Sequence, residues 1–119
     1  MSVPKIFESE YRFCLILWEH EPINSTKLAA VCKVQLGWSK ATTYTVIRRL
    51  AERGVLKNEN AVVTSLVSKE EVQRSEMEEL MEKTFEGSLP AFLAAFCSYG
   101  NLSEEESRQL AALIENFKG

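Results

Sequence analysis

The chain has 119 residues, 45% of them hydrophobic, 26% charged and 9% aromatic, and a formal net charge of -3. That composition excludes a disordered chain, and the length suits one compact domain, or a small domain with an appendage that needs a partner. No apolar run approaches the roughly 18–20 residues of a membrane span, so no membrane insertion is expected. The opening Met1-Ser2-Val3-Pro4-Lys5 has no long apolar stretch of the signal-peptide kind, which predicts a cytoplasmic location.

The segment Glu8–Glu19 places Tyr11, Cys14, Leu15 and Trp18 at i, i+3, i+4 and i+7, which predicts an amphipathic helix ended by Glu21-Pro22. Asn24 or Ser25 is positioned to cap a second helix over Ser25–Val34, with Leu28, Ala29, Val31 and Cys32 as its apolar face. Gly37 interrupts the chain. Ser39 then caps a third helix, about Lys40 to Arg53, whose core stripe is Thr43, Val46, Ile47 and Leu50, and Gly54 is a natural left-handed residue just past its end. Val55–Lys57 and Ala61–Val67 are β-branched runs on either side of Asn58-Glu59-Asn60, the pattern of a short hairpin. Three helices followed by a hairpin predict a winged helix-turn-helix over residues 1–67.

The remainder, 68–119, reads as helical throughout. Ser68-Lys69-Glu70-Glu71 is a capping box that opens an acidic helix ending at Gly87, with Met77, Leu80, Met81 and Phe85 among its apolar members. A short apolar helix over Ser88–Ser98 carries Leu89, Phe92 and Phe96, and tolerates Pro90 in its first turn. A second capping box, Ser103-Glu104-Glu105-Glu106, opens the last helix, striped by Leu110, Leu113, Ile114 and Phe117. About 50 residues in three such helices expose more apolar surface than one thin layer can hide, so these residues are expected to bury one another in a homodimer. The predicted fold class is therefore mainly α with a small β-hairpin, an N-terminal winged helix-turn-helix plus a C-terminal helical dimerisation region.

The net charge conceals an asymmetry. Residues 1–67 carry nine Lys/Arg against six Glu, whereas residues 68–119 carry five against eleven. A basic part joined to an acidic one fits nucleic-acid binding at one end only. Turned at 100° per residue, the third helix presents Ala41, Thr45, Arg48 and Glu52 outward, flanked by Thr42, Tyr44 and Arg49. Its start, from Ser39 and Lys40 onward, is dense in hydroxyls and free of acid. In helix-turn-helix proteins this part of the helix enters the major groove of double-stranded DNA, where hydroxyls meet phosphates or base edges and threonine methyls meet thymine. Lys40, Arg48, Arg49 and Lys57 would neutralise phosphates, and Ser25, Thr26 and Lys27 would grip the backbone.

Other chemistry finds little support. Cys14, Cys32 and Cys97 form no CxxC pair and are read as small hydrophobes, and one histidine, His20, leaves no dedicated metal site. No cofactor motif, nucleophile–base pair or glycine-rich phosphate loop is present, so an enzyme is not expected.

Several segments in their order carry a family likeness: Ile16-Leu17-Trp18-Glu19 with Pro22-Ile23, Gly37-Trp38-Ser39-Lys40-Ala41-Thr42-Thr43-Tyr44-Thr45 running into Arg49-Leu50, Gly54-Val55-Leu56, Ser65-Leu66-Val67-Ser68-Lys69-Glu70-Glu71, and Phe85-Glu86-Gly87-Ser88-Leu89. From about Ile6 to Phe117 the chain resembles the penicillinase repressor family of bacterial transcription regulators, the BlaI/MecI/CopY group. The resemblance implies a homodimer that binds a palindromic operator and represses antibiotic-resistance or stress genes. It implies groove-reading residues at Thr42, Tyr44 and Thr45, with Lys40, Ala41 and Arg48 beside them, and a sensor or protease system as the partner that releases the repressor. Three departures stand out. Tyr44 replaces a residue that is often basic in the family; the wing is shorter and has no basic or aromatic member in Asn58-Glu59-Asn60-Ala61; and the bond matching the family's Asn–Phe cleavage site is Ala95–Phe96. The cysteine-rich metal motif of the copper-responsive branch is not matched. The shortened wing motivates a second reading, a winged-helix protein-interaction module with little specific DNA binding.

Overall fold

The computed structural model describes residues 3–98 and 102–118, except the side chains of 117 and 118. Among these are six helices and a three-stranded antiparallel sheet. The chain packs as two units, Met1–Glu76 and Met77–Gly119.

In the first unit, α1 spans Glu8–His20, β1 Ile23–Asn24, α2 Ser25–Leu36 and α3 Lys40–Glu52; β2 (Leu56–Glu59) and β3 (Val62–Ser65) complete the sheet in the order β1-β3-β2. Each helix end is fixed by local chemistry. The Asn24 side chain accepts from Thr26 N at 2.8 Å, the Ser39 hydroxyl accepts from Thr42 N at 3.1 Å, and both satisfy amides that a helix start leaves unpaired. Gly37 (φ 71°) and Gly54 (φ 82°) take the left-handed turns after α2 and α3, where a side chain would be strained.

The hairpin pairs Leu56 with Ser65 and Glu59 with Val62, so its turn is the dipeptide Asn60-Ala61 rather than Asn58-Glu59-Asn60. Both turn residues have positive φ, 53° and 63°, a geometry that matches the twist of the flanking strands. The strand β1 pairs Ile23 with Val63, a contact across 40 residues that no local pattern announces.

The core comes from all three helices and the sheet: Phe13, Leu17, Leu28, Cys32, Leu50, Val55, Leu56 and Val63 are essentially solvent-free. Burial of each large apolar side chain contributes about 1.5–3 kcal/mol, set against the entropy of ordering it. Of the Tyr11-Cys14-Leu15-Trp18 stripe, Cys14 is in the core and Tyr11 and Trp18 pack against it, but the inward face is centred elsewhere. Glu10, Phe13, Cys14, Ile16 and Leu17 are buried, while Leu15 lies at the surface. The reason is Glu10, whose carboxylate accepts from Phe7 N at 2.9 Å and pairs with Arg53, while Arg53 also donates to Lys5 O at 2.9 Å. This ion pair turns Glu10 inward and fastens the end of α3 to the chain ahead of α1. At the other end of α1, the Glu21 carboxylate accepts from Ser65 N at 2.7 Å and from the Ser65 hydroxyl at 2.8 Å, joining helix to sheet.

Burial pushes the Cys14 thiol from its ordinary 9.0 up to about 12, the neighbouring Glu10 charge adding and Arg53 opposing; burial also raises Cys32. The reactive form is the thiolate, so Cys14 and Cys32 should resist alkylation at pH 8 until denaturant is added, as mass spectrometry of the labelled protein will read. The sign follows for stability: an unfolded thiol ionises above pH 9 and the folded Cys14 does not, so its contribution is intact below that pH and is lost as pH rises toward 12. Cys97, by contrast, is exposed.

The helix α4, Lys69–Phe85, opens on the expected box, Glu71 N donating to the Ser68 hydroxyl at 3.0 Å and Ser68 N to the Glu71 carboxylate at 3.1 Å. In the second unit, α5 spans Leu89–Ser98 and α6 Glu104–Lys118, and the Ser103/Glu106 box is closed by two bonds of 3.1 Å. Phe85 meets Phe92 edge-on at 5.4 Å between ring centres, and Phe92 lies 5.9 Å from Phe96. No described residue from Met77 to Asn116 reaches full burial. Among the described residues no helix is long and apolar enough to cross a membrane.

Candidate nucleic-acid interface

The outer side of α3 is built by its inner side. Thr43, Ile47 and Leu50 are buried at i, i+4 and i+7, which turns Lys40, Ala41, Thr42, Arg48 and Arg49 to solvent and leaves Tyr44 and Thr45 half-buried at the rim. The start of α3 is set by Trp38, whose ring stacks parallel to Phe13 at 6.1 Å, and then by the Ser39 cap.

The hydroxyls of this first turn bond one another. Ser39 Oγ donates to Thr42 Oγ1 at 2.9 Å, and Thr43 Oγ1 donates back to Ser39 O at 3.3 Å. Tyr44 reaches across to α2, its phenol oxygen 3.4 Å from Thr26 Oγ1. That bond, then one with the Ser25 hydroxyl, draws the phenol below its ordinary 10.0, and the Lys40 ammonium acts in the same direction. Lys40 Nζ sits 5.9 Å from the centre of the Tyr44 ring, a cation–π approach.

Of the residues assigned to the start of α2, Thr26 and Lys27 are exposed, while Ser25 is only 6% exposed and donates its backbone N–H to Ala61 O at 2.8 Å. Lys57 is exposed on β2 with its ammonium 3.9 Å from Glu59, so it is partly neutralised. Lys27, Lys33, Lys40, Arg48 and Arg49 have no carboxylate at ion-pair distance among the described residues.

Lys33 escaped the sequence reading. Together with Thr26, Ala29, Ala30, Ser39 and Lys40 it lines a groove of about 400 Å³ between α2 and the start of α3. The signal was present, since Thr26, Ala29, Ala30 and Lys33 stand at i, i+3, i+4 and i+7 on one face of α2.

The residues assigned to dimerisation line a second surface. Met77, Leu80, Leu89, Phe96, Leu113 and Ile114 are between 41% and 58% exposed. Met81, Phe85, Phe92 and Leu110 are half-buried, and the side chain of Phe117 lies outside the described residues. This is an unusual amount of open apolar surface for so short a stretch.

Comparison with known proteins is consistent across the whole length. A family model described as penicillinase repressor matches residues 6–116. The penicillinase repressor of Bacillus licheniformis is 22% identical over 121 residues, covering 98% of this chain and 94% of the relative. The methicillin resistance regulatory protein MecI of Staphylococcus aureus is 23% identical over 114 residues, covering 92% of this chain and 93% of its own, and that of Mammaliicoccus sciuri is 22% identical over the same length.

Proposed function

We propose, from the premise that the chain belongs to the penicillinase repressor family of transcriptional repressors, that it acts as a homodimer whose two winged helices bind a palindromic DNA operator. One observation carries this reading: the hydroxyl-rich, acid-free start of α3 stands exposed, with five cations on and beside it that have no carboxylate at ion-pair distance among the described residues. Residues 1–67 carry the DNA-binding elements, with the start of α4 as far as Glu76 packed in the same unit through Val72, and the dimerisation surface begins at Met77. Thr42, Tyr44, Thr45 and Ala41 enter the major groove. Lys27, Lys33, Lys40, Arg48 and Arg49 neutralise phosphates on either side, and Thr26 adds a hydroxyl to the backbone grip. Ser25 acts from behind, by holding Tyr44 and the hairpin turn.

The apolar surface of residues 77–116 is what a second copy would cover, placing two α3 helices on one side of the duplex about 34–36 Å apart. The relatives' names make resistance genes the first class of target to test, and a sensor or protease system is the kind of partner that would end repression.

Selection of bound sequences from a random duplex pool, followed by salt titration, tests the reading. A two-fold symmetric consensus is expected, with affinity falling roughly 1,000-fold between about 50 and 200 mM salt as neutralised phosphates release counterions. Alanine at Thr42, Thr45 and Arg48 together should abolish the preference. No enrichment by a folded, dimeric protein would overturn the operator reading. It would favour the protein-interaction module instead, to which the short wing and its single paired lysine already lean.

A further inference from the structure

The first half of α3 lacks the groups that usually read bases by hydrogen bonding. Residues 39–47 contain no Arg, Asn, Gln, Asp or Glu, so, Lys40 apart, the side chains that identify guanine or adenine by paired hydrogen bonds are missing there. Most of the polar side chains it does have are engaged within the protein, the Thr45 hydroxyl apart. Ser39 and Thr42 bond each other, Thr43 is buried and bonds Ser39 O, and the Tyr44 phenol is held by Thr26. Lys40, the one charged residue of the stretch, lies over the Tyr44 ring.

Beside the Lys40 ammonium and the Thr42 and Thr45 hydroxyls, this outer face offers carbon: the Ala41 methyl, the Tyr44 ring and the Thr45 methyl, at i, i+3 and i+4 on one helical face. The Tyr44 ring is packed against the core on one side and tied to α2 at its hydroxyl. Its position is therefore set before any ligand arrives, and little side-chain freedom is lost on contact. In the major groove, the base feature that an apolar surface recognises is the C5-methyl group of thymine.

The geometry points to Tyr44 as a specificity-determining residue that reads a thymine methyl in each half-site, with Ala41 and Thr45 widening the apolar contact. This rests on the operator-binding function proposed above and names how that surface chooses its sequence.

The experiment uses the full chain and its selected operator, with each thymine replaced in turn by deoxyuridine in both half-sites, a change that removes only the methyl group. At one or two positions per half-site, uracil should weaken binding about fourfold for each methyl no longer buried, and correspondingly more when both half-sites are changed. Tyr44→Ala should bind thymine and uracil operators equally at the affected position, whereas Tyr44→Phe should keep the discrimination. Tyr44→Gln, which preserves much of the side-chain length, replaces the alanine variant if that protein does not fold. A wild-type protein indifferent to uracil at every position, or a Tyr44→Ala protein that discriminates as the wild type does, would overturn the inference and leave operator binding standing. A selection that yields no sequence at all would overturn both.

Discussion

Leu113→Glu combined with Phe96→Glu is expected to convert a dimer into a monomer and to lower operator affinity by roughly 100-fold or more, the advantage that joining two binding heads confers. In a single chain both side chains stand about half exposed, Leu113 at 53% and Phe96 at 47%, so a carboxylate at either place meets water and costs the lone chain little. Against a second copy the same carboxylates would be buried without partners, at a cost of several kcal/mol each. The two consequences separate cleanly. Circular dichroism of the variant should retain the helical signal, while light scattering should report half the mass. Val34→Glu is the matched control, since Val34 is 86% exposed on α2 in the first unit, and should leave the mass unchanged. An unaltered dimer in the double variant would remove residues 77–116 from the proposed interface.

Phe13→Ala should cost about 3–5 kcal/mol of folding stability, the range for emptying a buried aromatic site. Phe13 is fully buried in α1, and its ring lies parallel to Trp38 with an interplanar angle of 5°. The truncation removes its own buried surface and also the support beneath Trp38, the residue that sets the entry into α3. Small domains are stable by only about 5–15 kcal/mol, so the loss is a large fraction of the total. Urea unfolding followed by tryptophan fluorescence reads it directly, since Trp18 and Trp38 both lie in the first unit. With a slope of about 1–3 kcal/mol per molar, the midpoint should fall by roughly 1–5 M. A shift well below that would mean that the neighbouring side chains close the cavity.

Legibility followed the range of the interactions involved. The two serine–glutamate boxes, the caps at Asn24 and Ser39 and the glycine stops at 37, 54 and 87 are local, and each stands where the sequence puts it. The inward face of α1 was harder, because apolar residues occupy Phe13 through Trp18 without a break and several stripes fit the helical period equally well. The decisive residue was Glu10, a charge that reads as solvent-facing and is in fact held inside by Arg53, 43 positions away. The strand at Ile23–Asn24 was missed for the same reason, since its pairing with β3 is made across the fold. At the interface, the outward residues of α3 were legible from periodicity once its core stripe was known. The Tyr44–Thr26 bond and the burial of Ser25 were not, because both depend on how α2 crosses α3.

The hairpin turn has a bearing on how such a protein would be controlled. Its tip is only Asn60-Ala61, and Ala61 is held to the start of α2 through the Ser25 N–H. A tip so short and so fastened would add no arm along a duplex, leaving each head of the proposed dimer to grip DNA with little beyond α2 and α3. A weak single grip makes the pair the unit that counts. In the proposed complex, occupancy then depends on the square of the chain's concentration whenever that concentration lies below the dimer's dissociation constant. A twofold fall in protein level there would remove about three-quarters of the remaining occupancy of weakly held sites. In such a complex the amount of repressor would become a threshold control in itself, set by synthesis and turnover.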